Sequence, residues 1–103
     1  MREISEEMLE EKLTAQQTFC LYVYTPMCGT CQVASKMLTV VEAIKPAVAI
    51  FKINMNYSRI LAERFEIESV PCLLFFRNGE MQRKIYAFQS VPFLLDMVAE
   101  HIG

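Results

Sequence analysis

The sequence predicts an α/β domain built on a central four-stranded mixed sheet with helices on both faces. Three observations predict it. Two nearly all-apolar, β-branched and aromatic runs, Thr18 to Tyr24 and Val48 to Asn54, have the composition of strands buried on both faces. The stretch between them, from about Thr30 to Ile44, is apolar at helical spacing, so strand, helix and strand form a right-handed crossover unit. Asn78-Gly79 is a strong two-residue hairpin signal and makes the last two strands antiparallel.

Each element has a local reason. Ser5 can cap a first helix, with Glu6 and Glu7 favourable in its first turn. Ile4 and Leu9 are spaced to form a hydrophobic staple across that cap. The helix is expected to reach about Thr14, with Ile4, Met8, Leu9 and Leu13 as its apolar face, and Ala15-Gln16-Gln17 connects it to the first strand. Thr25-Pro26-Met27 leads out of that strand into Cys28-Gly29-Thr30-Cys31, which opens the second helix. Val33, Ala34, Met37, Leu38, Val41 and Ile44 carry the helical period, and Lys45-Pro46 ends it because the residue before proline is pushed from helical geometry. Tyr57 to Phe65 reads as a short helix, Val70 to Phe76 as a third strand and Lys84 to Phe88 as its antiparallel partner. Val91 to Ile102 closes the chain as an amphipathic helix with Phe93, Leu94, Met97 and Val98 inward and Pro92 in its first turn. The order is α-β-α-β-α-β-β-α.

With 103 residues there is room for one domain, residues 1–103, and a composition 53% apolar and 21% charged favours a packed core over disorder. The net charge is −2 with both signs interspersed, which leaves no basic stripe for nucleic acid. No apolar stretch approaches the ~20 residues that span a bilayer. The first seven residues are acidic and polar, unlike a secretory signal or transit peptide, so a cytoplasmic location is expected. In a reducing compartment the four cysteines are not a structural disulfide framework, and a close pair reads as catalytic or metal-binding. No cofactor is expected.

Cys28 and Cys31, three residues apart, can close a small disulfide ring or bind a metal. At the start of a helix the first thiol feels the positive end of the helix dipole, and the thiolate is the reactive form. The helix amides and the Thr30 hydroxyl can stabilise it, and Gly29 permits tight turning and close backbone approach. A four-cysteine metal site needs a second close ligand pair, which Cys20 and Cys72 do not make, so no metal ligand is assigned. A cluster shared between two chains through Cys28 and Cys31 stays open. Cys20 is expected in the core. Strand alternation turns Cys72 to the face opposite Pro71, away from Cys28, where it packs. His101, at the end of the last helix, reads as a surface or dipole contact. Met27, beside Cys28, is expected to be exposed as part of an adaptable apolar patch.

The Cys28-Gly29-Thr30-Cys31 motif after a buried strand, Phe51-Lys52-Ile53-Asn54 on the next strand, the Val70-Pro71 step and the Phe75-Phe76-Arg77-Asn78-Gly79-Glu80 hairpin together resemble the thioredoxin superfamily over nearly the whole chain. The chain is more similar to the small thioredoxin-like proteins of Gram-positive bacteria than to the commonest thioredoxins, whose first strand is missing or very short here. The resemblance implies a thioredoxin-like fold and a thiol–disulfide oxidoreductase that reduces protein disulfides. It implies that Cys28 is the exposed attacking thiol and Cys31 the more buried resolving thiol. Pro71 matches the family's cis-proline, which packs against the dithiol, and the backbone of Val70 would pair with an extended substrate segment. Met27, Gly29 and Thr30 would complete the substrate-facing surface.

Several positions depart from the family pattern. Its usual Trp before the first cysteine is Met27, and its Trp four residues before that cysteine is Tyr24. Its buried Asp six residues before the first cysteine is Tyr22, while the Asp's Lys partner is retained as Lys52. The helix-kinking Pro is Lys36, and the groove-lining Gly after the hairpin is Ala87. Lys52 and Tyr22 are therefore the candidates for a proton relay, against plain readings of strand-edge solvation and core packing. The implied partners are disulfide-bearing proteins or low-molecular-weight disulfides, with a thioredoxin-reductase-type electron donor. The competing readings are a redox-sensing or partner-binding module with little turnover, and metal binding at the dithiol.

Overall fold

The computed structural model describes residues 1–103. Its elements run β1 (Arg2–Glu3), α1 (Glu6–Thr14), β2 (Phe19–Tyr24), α2 (Gly29–Ile44), β3 (Ile50–Asn54), a 3-10 turn (Met55–Tyr57), α3 (Arg59–Glu63), β4 (Cys72–Arg77), β5 (Glu80–Ile85) and α4 (Val91–His101). The strands form one mixed sheet in the order β1-β3-β2-β4-β5. β1 and β2 both run parallel to β3, while β4 is antiparallel to both β2 and β5.

The sheet therefore has five strands, where the sequence predicts four. The extra one is two exposed charged residues paired in parallel with Phe51 and Lys52. Such a strand has no hydrophobic period to read. It is held by backbone hydrogen bonding, which continues from Ile4 N to Lys52 O at 2.9 Å, and by the buried Ile4 side chain that follows. The cap of α1 forms as expected, with Ser5 accepting from the Met8 amide at 3.1 Å and the Ile4–Leu9 staple buried on the same side of the sheet.

Other boundaries move for identifiable reasons. β3 starts at Ile50 because Val48 N donates to Lys45 O and keeps Val48 in a turn. The expected helix at 57–65 splits, because Asn54 caps a 3-10 turn before α3 begins at Arg59. β4 starts at Cys72, since Pro71 has no N–H to offer a ladder. β5 runs from Glu80 and not from Lys84, because a two-residue turn puts pairing directly after it, with Arg77 opposite Glu80. Its first four residues are exposed and mostly polar, as an edge strand allows, so they carry no strand-like alternation.

Period-two alternation along β2 and β4 divides the core. Cys20, Tyr22, Leu73 and Phe75 face one half, where α2 supplies Cys31, Ala34, Leu38 and Val41 and α4 supplies Leu94, Met97 and Val98. Phe19, Leu21, Val23, Cys72, Leu74 and Phe76 face the other half, against Leu9 and Leu13 of α1 and Leu61 of α3. Cys72 thus lies across the sheet from Cys31, as strand alternation predicts. Not every apolar residue at helical spacing in α2 is covered: Val33 and Ile44 are exposed. No helix is long and apolar enough to cross a membrane.

Candidate active site

The site forms where β2 ends and α2 begins. Cys28 is the N-cap of α2, with extended backbone, and its sulfur accepts from the Cys31 amide at 3.1 Å. The Thr30 hydroxyl lies 3.4 Å from the same sulfur. Cys28 and Cys31 are joined by a disulfide, their Cα atoms 5.2 Å apart. The two sulfurs differ in access, for Cys28 is half-buried while Cys31 is only 3% exposed. α2 is 16 residues long and has no acidic residue in its first turn, so its positive end is not neutralised. Amide, hydroxyl and dipole all favour negative charge on the Cys28 sulfur.

Gly29 corrects one expectation. It is the first residue of α2, its backbone is not left-handed, and an added Cβ would meet nothing within 4 Å. The turn does not require glycine; the exposed Gly29 leaves the surface beside the sulfur low and open. Thr30 is likewise exposed, and Met27 is 97% exposed, as expected. The Val70–Pro71 peptide bond is cis. Cys72 pairs with Val23, so Pro71 stands at the end of the sheet where β2 leads to the dithiol. Val70 and Pro71 are both half-buried, and Val70 packs against both halves of the core.

Beside the disulfide lies an open cavity of about 450 Å³, lined among others by Tyr22, Tyr24, Cys28, Cys31, Lys36 and Lys52. Val70 and Pro71 do not line it. Lys52 reaches it because the parallel register sets Lys52 opposite Tyr22, and its Nζ stands 5.7 Å from the Tyr24 ring centre. Tyr22 is 2% exposed, and its hydroxyl donates to the Cys31 carbonyl oxygen at 2.5 Å. That proton is directed at backbone and not at sulfur, so Tyr22 anchors the first turn of α2. Of the two relay candidates, the structure leaves Lys52 with a free ammonium in the cavity and Tyr22 with an occupied hydroxyl. Sequence reading overlooked Gln32 and Ser35, which also line the cavity, and gave Lys36 no role there. Their spacing from Cys28 along one helix face was the available signal.

Four weak acids on β2 and β4 predict a pH response. Burial pushes the thiols of Cys20 and Cys72 from 9.0 up to about 12. Burial likewise raises the hydroxyls of Tyr22 and Tyr24 from 10.0 to about 12, helped at Tyr24 by its hydrogen bond to Glu3. Between these values the unfolded chain has lost protons that the folded chain keeps, so stability falls as pH rises. Their contribution is complete below about pH 9 and is lost as pH climbs through about 12. Urea unfolding of the oxidised protein is expected to show a midpoint that declines steadily above about pH 9. A midpoint that stays flat well beyond that point contradicts this placement of the four groups.

Comparison with known proteins agrees with this geometry. The family model described as Thioredoxin matches residues 1–100. The chain is 46% identical over 100 residues to the thioredoxin-like protein YusE of Bacillus subtilis (strain 168), covering 97% of this chain and 92% of that protein. It is 28% identical over 78 residues to a thioredoxin of Chlamydia pneumoniae, covering 76% of each. In three dimensions it is similar to a mutant thioredoxin from Halobacterium salinarum NRC-1, with a TM-score of 0.83 at 20% identity over 99% of this chain and 90% of that one.

Proposed function

This chain belongs to the thioredoxin family and is a thiol–disulfide oxidoreductase, and on that basis we propose that it reduces protein disulfides with Cys28 as attacking thiol and Cys31 as resolving thiol. The observation that carries the assignment of roles is the unequal access of two bonded sulfurs at an unneutralised helix N-terminus. A Cys28 thiolate attacks one sulfur of the substrate disulfide, whose other sulfur leaves with the electron pair. Cys31 then attacks the Cys28 sulfur, expels the second substrate thiolate and closes the disulfide seen here. Met27, Gly29 and Thr30 form the exposed rim of the docking surface. The Val70-Pro71 step, at the same end of the sheet, offers backbone to an extended substrate segment. Reduced protein is restored by a thioredoxin-reductase-type electron donor. The two unpaired buried thiols, Cys20 and Cys72, suit a reducing compartment, and we place the protein in the cytoplasm.

Insulin reduction in the presence of dithiothreitol tests the reading, with turnover well above the dithiothreitol background expected. Absence of turnover by a fully reduced, folded protein overturns it. Lys52 is proposed to assist loss of the Cys31 proton across the cavity. Lys52→Met is expected to lower turnover about tenfold and to shift the alkaline-going limb of the rate upward in pH. An unchanged rate and an unchanged pH profile remove Lys52 from the mechanism.

A further inference from the structure

The open cavity beside the disulfide has a local charge opposite to that of the chain. The whole protein carries a net charge of −2, yet the ten residues lining this cavity include Lys36 and Lys52 and no Asp or Glu. Neither lysine is in an ion pair; the salt bridges are made by the N-terminus, Arg64 and His101. The carboxylate at the edge is Glu3, which accepts a hydrogen bond from the Tyr24 hydroxyl and stands beside Lys52 in the strand register. Gln32 and Ser35 add neutral polar groups to the wall. The cavity's volume, about 450 Å³, lies within the range of small-ligand sites and far exceeds a water site.

Geometry ties this charge to the sulfurs. Lys36 lies on the same helix as Cys28, roughly 12 Å further along the axis at the rise of an α-helix. Side chains of a helix lean toward its N-terminus, so the Lys36 stem leans back toward the dithiol. Lys52 approaches from β3 on the opposite wall. Both lysines thus share the walls of one cavity with Cys28, where a small molecule attacked at sulfur would place its remaining atoms.

We propose that Lys36 and Lys52 make this site select, among low-molecular-weight disulfides, those bearing carboxylates, which the two lysines hold while Cys28 reacts. The proposal rests on the disulfide-reductase reading given above. In the first step the Cys28 thiolate bonds to one substrate sulfur, and the first carboxylate-bearing thiolate leaves and takes a proton from solvent. In the second step Cys31, having lost its proton, bonds to Cys28 and expels the second thiolate. Two electrons pass from the dithiol to the substrate, and an added dithiol reductant restores the protein.

The test compares three small disulfides of different charge: dithiodiglycolate (a dianion), bis-hydroxyethyl disulfide (neutral) and cystamine (a dication). Each kcat/KM is divided by the rate of the same disulfide with dithiothreitol alone, which removes intrinsic reactivity. The dianion is expected to be preferred over the neutral disulfide by about five- to tenfold at low salt, with the dication least favoured. The preference is expected to shrink toward unity near 1 M salt, where the screening length is only about 3 Å. Lys36→Glu is expected to abolish or reverse the ratio of dianion to neutral substrate. Equal normalised rates for the three, or a preference untouched by both salt and Lys36→Glu, overturn this inference while insulin reduction stands. Failure to reduce insulin as well as all three small disulfides overturns the underlying reading instead.

Discussion

Cys28→Ser is expected to lower insulin reduction by about a thousandfold or more, while Cys31→Ser is expected to halt the cycle halfway. A serine hydroxyl at the helix N-cap remains protonated and is a poor nucleophile, so the dipole and the Thr30 hydroxyl have no thiolate to stabilise. Neither remaining thiol can substitute. Cys20 and Cys72 are both fully buried, burial raises both to about 12, and Cys72 faces the other half of the core. In Cys31→Ser the first attack proceeds but nothing displaces the bound substrate, so a mixed disulfide at Cys28 accumulates. Intact-mass measurement after exposure to insulin or to dithiodiglycolate reads it directly, and dithiothreitol should reverse it. Substantial residual turnover in Cys28→Ser, with a native circular dichroism spectrum, places the nucleophile elsewhere. Trapping on Cys31 in a Cys28→Ser background exchanges the two roles.

The largest expected effect on stability lies far from the sulfurs. Asn78 and Gly79 both have positive φ, 53° and 80°, the pattern of a type I′ hairpin turn. The turn is also docked on the end of α1 and the start of β2. Gly79 N donates to Gln17 O at 2.9 Å, and Asn78 N donates to the Thr18 hydroxyl at 3.1 Å. A Cβ at Gly79 would stand 2.6 Å from the Leu13 carbonyl oxygen and 3.1 Å from the Gln16 Cα, both backbone atoms that cannot swing aside. Gly79→Ala combines left-handed strain with overpacking and is expected to cost about 2–4 kcal/mol. For a domain of this size that lowers Tm by roughly 10 °C or more. Activity at 25 °C should persist, because the hairpin is remote from Cys28. Gly29→Ala is the matched control: its Cβ meets nothing within 4 Å, so Tm should hardly move. If thermal unfolding shows equal, small shifts for both variants, the hairpin is not anchored to α1 as described.

Much of this architecture was legible in the chain because its causes are local. The apolar run from Phe19 to Tyr24 has the composition of a strand covered on both faces, and alternation after Pro71 turned Cys72 away from Cys28, onto the half of the core where it packs. Ser5, Asn78-Gly79 and Pro46 each act within a few residues, so cap, turn and helix end were readable without any knowledge of the fold. Cys28-Gly29-Thr30-Cys31 was recognisable as a reactive pair for the same reason, since both the helix start and the sulfur spacing are local properties. Local pattern was thus enough for the class of sheet and the burial of the two remaining thiols, while the choice of disulfide exchange over metal binding at the dithiol rested on the resemblance to the thioredoxin superfamily.

What depends on register between distant segments came from the folded arrangement instead. Arg2 and Glu3 become a strand because Phe51 and Lys52 present free backbone groups to them, and no pattern within two charged residues announces that. The Tyr22 hydroxyl turns from a relay candidate into an anchor because the Cys31 carbonyl, nine residues on, lies 2.5 Å away. Lys36 and Lys52 meet across one cavity because Lys52 falls opposite Tyr22 while α2 packs over that half of the sheet. Periodicity and turn chemistry are written in adjacent residues; convergence of charges is written in long-range pairing, where shifting β3 by one residue would turn Lys52 to the other face and remove one wall of the site.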